Sequence, residues 1–115
     1  MTRRQIEDYL QDILETIAAA QQFTMGMSFE DFEADQKTVF AVTRAIEIVG
    51  EATKNIPPNL RESYPQIPWK SITGMRDKVI HHYFGINIQV LWDTVQQDFP
   101  TLEPVIAQIL KELSN

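Results

Sequence analysis

The chain has two histidines, and they are adjacent. They stand in the run Arg76-Asp77-Lys78-Val79-Ile80-His81-His82-Tyr83. Histidine is the side chain best suited to trade protons near neutral pH. Arginine offers a fixed, permanently charged fork to a phosphate. Stabilising charge on a transferring phosphorus is a large catalytic contribution. An Arg and a His without a carboxylate cluster point to metal-free RNA cleavage, in which the 2′-hydroxyl attacks its own phosphate.

Helical geometry sorts these residues. Tyr83 lies seven positions after Arg76 and falls almost on the same face, whereas His81 lies about 140° round from Arg76. Asp77 and His81 are four apart and can touch. His82 points about 100° beyond His81. Arg76, His81 and Tyr83 therefore form no tight cluster on one helix, and two copies meeting across a dimer axis would each donate one edge of a shared cleft. Ordinary structural roles stay open for each residue. Asp77–His81 is also a common helix pair, Tyr83 a common core edge with its hydroxyl in water, and Arg76 a common partner for a buried carbonyl. An isolated Arg-x4-His recurs by chance.

Other chemistries fit less well. Adjacent histidines point to different faces, a poor metal-ligand spacing compared with i, i+4. The four glycines are scattered and form no phosphate-cradling loop. No strand-turn-helix elbow is visible for a serine hydrolase. Glu47 and Glu51 are four apart on one helical face and read as a solvated or partner-facing edge, with Arg44 placed to neutralise Glu47. Met25, Met27, Phe29 and Phe32 form an apolar cluster whose favoured role is core packing, with a partner patch as the minority reading.

The elements that must hold these residues are all helical. Ile6, Leu10, Ile13, Ile17 and Ala20 form a stripe at steps of three and four, predicting a helix from Thr2, a candidate N-cap, to about Gln22. Ser28 and Asp31 resemble a capping box that leads into a second helix, about Glu33 to Asn55. That helix carries Val39, Val42, Ile46, Val49, Thr53 and Ile56 as its stripe and stops at Pro57-Pro58. Gly50 within it points to close packing. Residues 57–70 read as an ordered connector with a helical turn near 59–64, because Tyr64, Ile67 and Trp69 are too apolar for a free linker. The third helix is expected from about Ile72 to Phe84, with Pro68 able to sit in its first turn and Gly85 as its stop. Asn87 caps a fourth, to about Phe99, which Pro100 breaks. Thr101 caps a fifth, with Leu102, Val105, Ile106, Ile109 and Leu113 as its stripe and Pro104 in its first turn. The expected fold class is all-α: one domain over 1–115, an antiparallel bundle of about five helices that dimerises.

Composition agrees with a folded domain. At 115 residues and 43% hydrophobic, the chain can bury a sizeable core, and disorder is not expected. There is no cysteine, so thiol catalysis, disulfides and cysteine-based zinc sites are excluded. Charge returns early at the N-terminus and no run approaches a membrane span, so a soluble cytoplasmic protein without a membrane partner is expected. Net charge is −6, which argues against general nucleic-acid coating. The distribution is uneven. Residues 52–83 hold five basic and two acidic side chains, net +3, and the remainder is −9. The only basic island carries both histidines, and Lys70 and Lys78 within it are the RNA-binding candidates.

Arg76-x4-His81-x-Tyr83 resembles the R-x4-H-x-Y signature of HepT toxins, within the wider HEPN group of helical ribonucleases. The likeness extends to Tyr9-Leu10-Gln11-Asp12-Ile13, Gly26-Met27-Ser28-Phe29-Glu30, Ile46-Glu47-Ile48-Val49-Gly50-Glu51-Ala52, Ile67-Pro68-Trp69, Gly74-Met75-Arg76, Tyr83-Phe84-Gly85 and Val90-Leu91-Trp92-Asp93. It covers roughly residues 6–113. The resemblance implies the toxin of a toxin–antitoxin pair, a homodimeric, metal-independent endoribonuclease that needs no cofactor. It implies RNA as substrate, tRNA being one class that fits, and a minimal nucleotidyltransferase, MntA, as antitoxin. Carried over, Arg76 would bind the scissile phosphate and His81 would act as general base or acid. Asp77 would orient its neighbours, and Tyr83 would accept AMP from the partner. Added charge and bulk there would repel RNA. The wider HEPN spacing also admits His82, which is kept as a supporting residue, and the following x-Tyr selects His81. The competing reading is a non-catalytic helical adaptor of a nucleotidyltransferase. A histidine-based metal site is the weakest alternative.

Overall fold

The computed structural model of the chain describes residues 3–81 and 87–114, with side chains for residues 5–75 and 87–114. Seven α-helices are present among these residues, and no strand. They are α1 Arg3–Phe23, α2 Phe29–Ala34, α3 Gln36–Lys54, α4 Pro58–Glu62, α5 Trp69–His81, α6 Ile88–Asp93 and α7 Phe99–Ser114. A π-helical turn, Thr94–Asp98, joins α6 to α7. None of the described helices is long and apolar enough to cross a membrane.

The stripe of α1 is buried as its spacing predicts: Leu10, Ile13, Ile17 and Ala20 are fully buried, and Ile6 packs at their edge. The proposed cap Thr2 lies outside the described residues. Gly26 follows α1 with φ +79°, a left-handed conformation that costs glycine nothing. The capping box on α2 is complete. The Asp31 amide donates to Ser28 Oγ at 3.1 Å, and the Ser28 amide donates to Asp31 Oδ2 at 3.0 Å.

The second expected helix begins at Gln36, later than the expected start near Glu33. Asp35 interrupts the chain as an N-cap, its Oδ1 accepting from the Thr38 amide at 3.2 Å, and α3 starts at Gln36. A free side-chain acceptor competes with the helical ladder at this point and opens a new helix. Val42, Ile46, Val49, Thr53 and Ile56 are buried as expected, whereas Val39 is half-buried. Gly50 is buried on α3. Helix α3 is the spine of the bundle, packed along both α1 and α5, with α7 closing on α1.

The connector is ordered. Pro57 and Pro58 start α4 rather than merely ending α3. Ile67 and Trp69 are buried, and Tyr64 packs at the core's edge, its hydroxyl donating to the Glu112 carboxylate near the end of α7. That carboxylate is held below its usual range by the Gln108 amide and by Tyr64, and the phenol is pushed up by the same bond.

Two boundaries differ from expectation. Helix α5 begins at Trp69, three residues before Ile72, because Pro68 supplies the carbonyl that accepts from the Ile72 amide at 3.1 Å. The proposed stop at Gly85 lies outside the described residues. Asn87 caps α6 as expected, accepting from the Gln89 amide at 2.9 Å. Pro100, however, breaks nothing. The helix runs from Ile88 to Ser114, and Pro104 sits inside α7 rather than in a first turn. The π turn explains why. The Phe99 amide reaches back five residues to the Thr94 carbonyl, and this wider turn gives the Pro100 ring room that an α-turn would deny it. Thr101 is accordingly no cap, and its hydroxyl donates to the Gln97 carbonyl at 3.1 Å. Leu102, Ile106 and Ile109 are buried from this helix.

Candidate active site on helix α5

Helix α5 is anchored at its first residue. Trp69 is buried, and its indole Nε1 donates to the carbonyls of Arg61 at 2.9 Å and Tyr64 at 3.0 Å. Ile72 and Met75, three and six residues further on, pack against the core. A helix fixed along this stripe has its remaining register fixed too, so the anchored N-terminal half positions the half that bears the motif.

Arg76, Asp77, Lys78 and His81 all lie within α5. Arg76 and His81 are separated by about 7.5 Å along the helix axis and about 140° around it. Both thus belong to one helix. Lys70 is exposed on the same helix, six residues before Arg76 and so about 9 Å along the axis and about 120° around. His82 and Tyr83 lie outside the described residues.

Beside α5 is a feature that motif reasoning missed. A cleft of about 510 Å³ opens between α3, α5 and the π turn with α7. Its walls include Ile46, Ile72, Met75, Phe99, Leu102 and Val105, and Met75 is the neighbour of Arg76. Its polar groups include Ser71, Thr94, Asp98 and Thr101. The Asp98 carboxyl is pushed above the usual carboxylate range by partial burial and by the negative charge of Asp93. Splitting this helix at Pro100 hid the cleft from the sequence, because it separated Thr94 and Asp98 from the α7 residues that share the wall.

The other candidates are resolved by contacts. Arg44 Nη1 pairs with Glu47 Oε2 at 3.1 Å, so Glu47 is neutralised as its spacing suggested. Glu47 and Glu51 share a smaller groove of about 240 Å³ with Tyr9 and Asp12 of α1. In the apolar cluster after α1, Phe32 is fully buried, and both Phe32 and Phe29 meet Trp92, with ring centroids 5.3 Å and 6.3 Å apart. Met25 is 74% exposed and is not part of that core.

Comparison with known proteins places the chain. The family model described as Ribonuclease HepT-like matches residues 13–109. A "Probable ribonuclease HepT" of Thermococcus cleftensis is 49% identical over 109 residues, covering 95% of this chain and 99% of the relative. A candidate RNase of Methanocaldococcus jannaschii is 42% identical over 98% of this chain and 93% of its own length. A candidate RNase of Caldanaerobacter subterraneus subsp. tengcongensis is 43% identical over 90% of this chain and 93% of its own. No solved structure matches.

Proposed function

Because this chain belongs to the HepT-like ribonuclease family, we propose that it is a metal-independent endoribonuclease acting as the toxin of a toxin–antitoxin pair. The observation that carries the proposal is a family match that spans the whole of α5, with Arg76 and His81 on that one anchored helix. Arg76 binds the scissile phosphate and offsets the charge that develops there. His81 takes the proton of the 2′-hydroxyl as it attacks the adjacent phosphorus, or delivers one to the departing 5′-oxygen. The phosphodiester bond to that oxygen breaks, leaving a 2′,3′-cyclic phosphate and a 5′-hydroxyl. Asp77 orients its neighbours, and His82 supports from the adjacent position.

The wide angle between Arg76 and His81 on one helix favours a homodimer, in which each copy lends one edge to a common cleft. Lys70 and Lys78 lie in the basic island and would meet the RNA backbone. An MntA-like nucleotidyltransferase would silence the enzyme by transferring AMP to the Tyr83 hydroxyl, releasing pyrophosphate from ATP. The new phosphate would repel RNA at the cleft. The protein acts in the cytoplasm, where both its RNA substrate and ATP are found.

Expression without a partner tests this reading. The wild-type chain should arrest growth and His81→Ala should not. Coexpressed nucleotidyltransferase should rescue growth while adding the mass of AMP to Tyr83, and should fail to modify or silence Tyr83→Phe. A harmless, folded and unmodified wild-type chain would favour the adaptor reading instead.

A further inference from the structure

The cleft beside α5 has the composition of a site for a flat, partly polar molecule. Its volume of about 510 Å³ is in the range of small-ligand pockets. Six apolar side chains, Ile46, Ile72, Met75, Phe99, Leu102 and Val105, supply surface for a ring face. At the π turn, Thr94 and Asp98 line the same cleft, as do Ser71 of α5 and Thr101 of α7. Ser71, Ile72 and Met75 of α5 line it, and Met75 is next to Arg76 in the sequence.

We propose that this cleft is a base-binding subsite for single-stranded RNA, selective for guanine, with the Asp98 carboxylate accepting from the Watson–Crick edge. The proposal rests on the ribonuclease reading and names the nucleotide that the enzyme would hold near its scissile phosphate. Single-stranded RNA is read by splaying bases out, covering their faces with side chains and hydrogen-bonding their edges. An ionised carboxylate can only accept, and it presents two oxygens side by side. Guanine alone among the four bases offers two adjacent donors on that edge, N1–H and the 2-amino group. Adenine and cytosine each place a ring acceptor beside their single amino donor. Uracil flanks its N–H with two carbonyls. Each would turn a lone pair toward the second carboxylate oxygen.

The environment of Asp98 agrees with this assignment. Partial burial and the neighbouring Asp93 charge disfavour its ionised form. Two donors arriving together would relieve that penalty. The carboxylate would meet the base edge and not the phosphates, so its charge does not oppose the backbone contact. Lys70, next to the cleft-lining Ser71, is exposed on α5 and can take a phosphate.

The test titrates full-length protein with guanosine, adenosine, inosine and cytidine 5′-monophosphates, following amide shifts by NMR. All four share one phosphate, so differences report the base. Wild type should bind the guanosine nucleotide about five-fold or more tighter than the adenosine nucleotide, the lower end of what a good bidentate contact supplies. Inosine, lacking the 2-amino group, should fall between them. Asp98→Asn should erase the preference. Ser71→Trp, at an exposed position on the cleft, should block binding without disturbing the core. Equal affinities, or shifts confined to residues away from the cleft, overturn the proposal. So does a dimer in which Ser71 and Thr101 are covered, since the cleft is then a subunit interface. RNA cleavage measured on the same samples separates the two readings. Cleavage without guanine preference removes the subsite and leaves the ribonuclease. Guanine preference with intact RNA removes the ribonuclease and leaves a nucleotide site.

Discussion

The indole of Trp69, first residue of the helix that carries Arg76 and His81, donates to the Arg61 carbonyl in the preceding connector at 2.9 Å. The same N–H is shared with the Tyr64 carbonyl at 3.0 Å. The start of α5 is therefore tied to the loop before it as well as to the core beneath. Trp69→Phe keeps most of the apolar volume and removes both bonds, while the Arg61 carbonyl keeps the Tyr64 amide and the Tyr64 carbonyl keeps the Ile67 amide as donors. The expected cost is about 1–2 kcal/mol, read as a lower midpoint in urea with an unchanged slope. Trp69→Ala should cost about 3–5 kcal/mol, because a buried cavity is added.

The two described glycines outside α3 should respond in opposite directions to alanine. Gly26 has φ +79°, and a Cβ there meets nothing within 4 Å, so the penalty is purely conformational. Gly26→Ala should destabilise by about 1–2 kcal/mol. Gly74 lies in α5, and its Cβ would also meet nothing within 4 Å. Gly74→Ala should stabilise by up to about 1 kcal/mol through helix propensity. Thermal melts of the two variants beside wild type check both signs.

Asp98 gives the chain a pH signature. Its folded carboxyl is raised above the unfolded value, so the native state binds more protons than the unfolded state between those two pKa values. This group's contribution therefore falls as pH rises through that window and stays low above it. Asp98→Asn removes the penalty. Since the side chain is largely exposed, the expected gain at neutral pH is a few tenths of a kcal/mol. The gain should vanish below the unfolded carboxylate pKa. Denaturant melts at neutral and strongly acidic pH provide the comparison, and a loss of stability at neutral pH would show that Asp98 is well paired.

The Arg44–Glu47 pair at 3.1 Å is a helix-surface ion pair, Arg44 being 70% exposed. Arg44→Ala should cost only about 0.3–0.5 kcal/mol, and the loss should shrink in high salt. A loss several times larger would show that the groove shared with Tyr9 and Asp12 depends on Arg44 for more than this pair.

Periodicity was sufficient for the buried stripes of α1 and α3, because burial on one helical face imposes steps of three and four. Ser28–Asp31 and Asn87 were legible for a similar reason, since a side chain that caps must sit at a fixed offset. The readings that failed involve competition between local signals. Asp35 looked like any helical carboxylate until its oxygen took the Thr38 amide. Pro100 looked like a stop because an α-turn cannot hold its ring, and nothing in residue order announces that a π turn will. The cleft was lost with that break, since it joins Thr94 and Asp98 to Phe99 and Leu102. Of the motif, the helix bearing Arg76 and His81 was legible. Its cleft-forming neighbours came from packing between α3, α5 and α7, which one stretch of sequence does not encode.

The most direct test of the account is cleavage of total RNA by purified, unmodified chain in excess EDTA. Wild type should release discrete fragments ending in 2′,3′-cyclic phosphate. His81→Ala should lose that activity by at least about a hundred-fold, the lower bound for a general acid or base, while His82→Ala should retain most of it. Intact RNA with folded wild-type protein, or full cleavage by His81→Ala, would contradict the assignment of ribonuclease chemistry to Arg76 and His81.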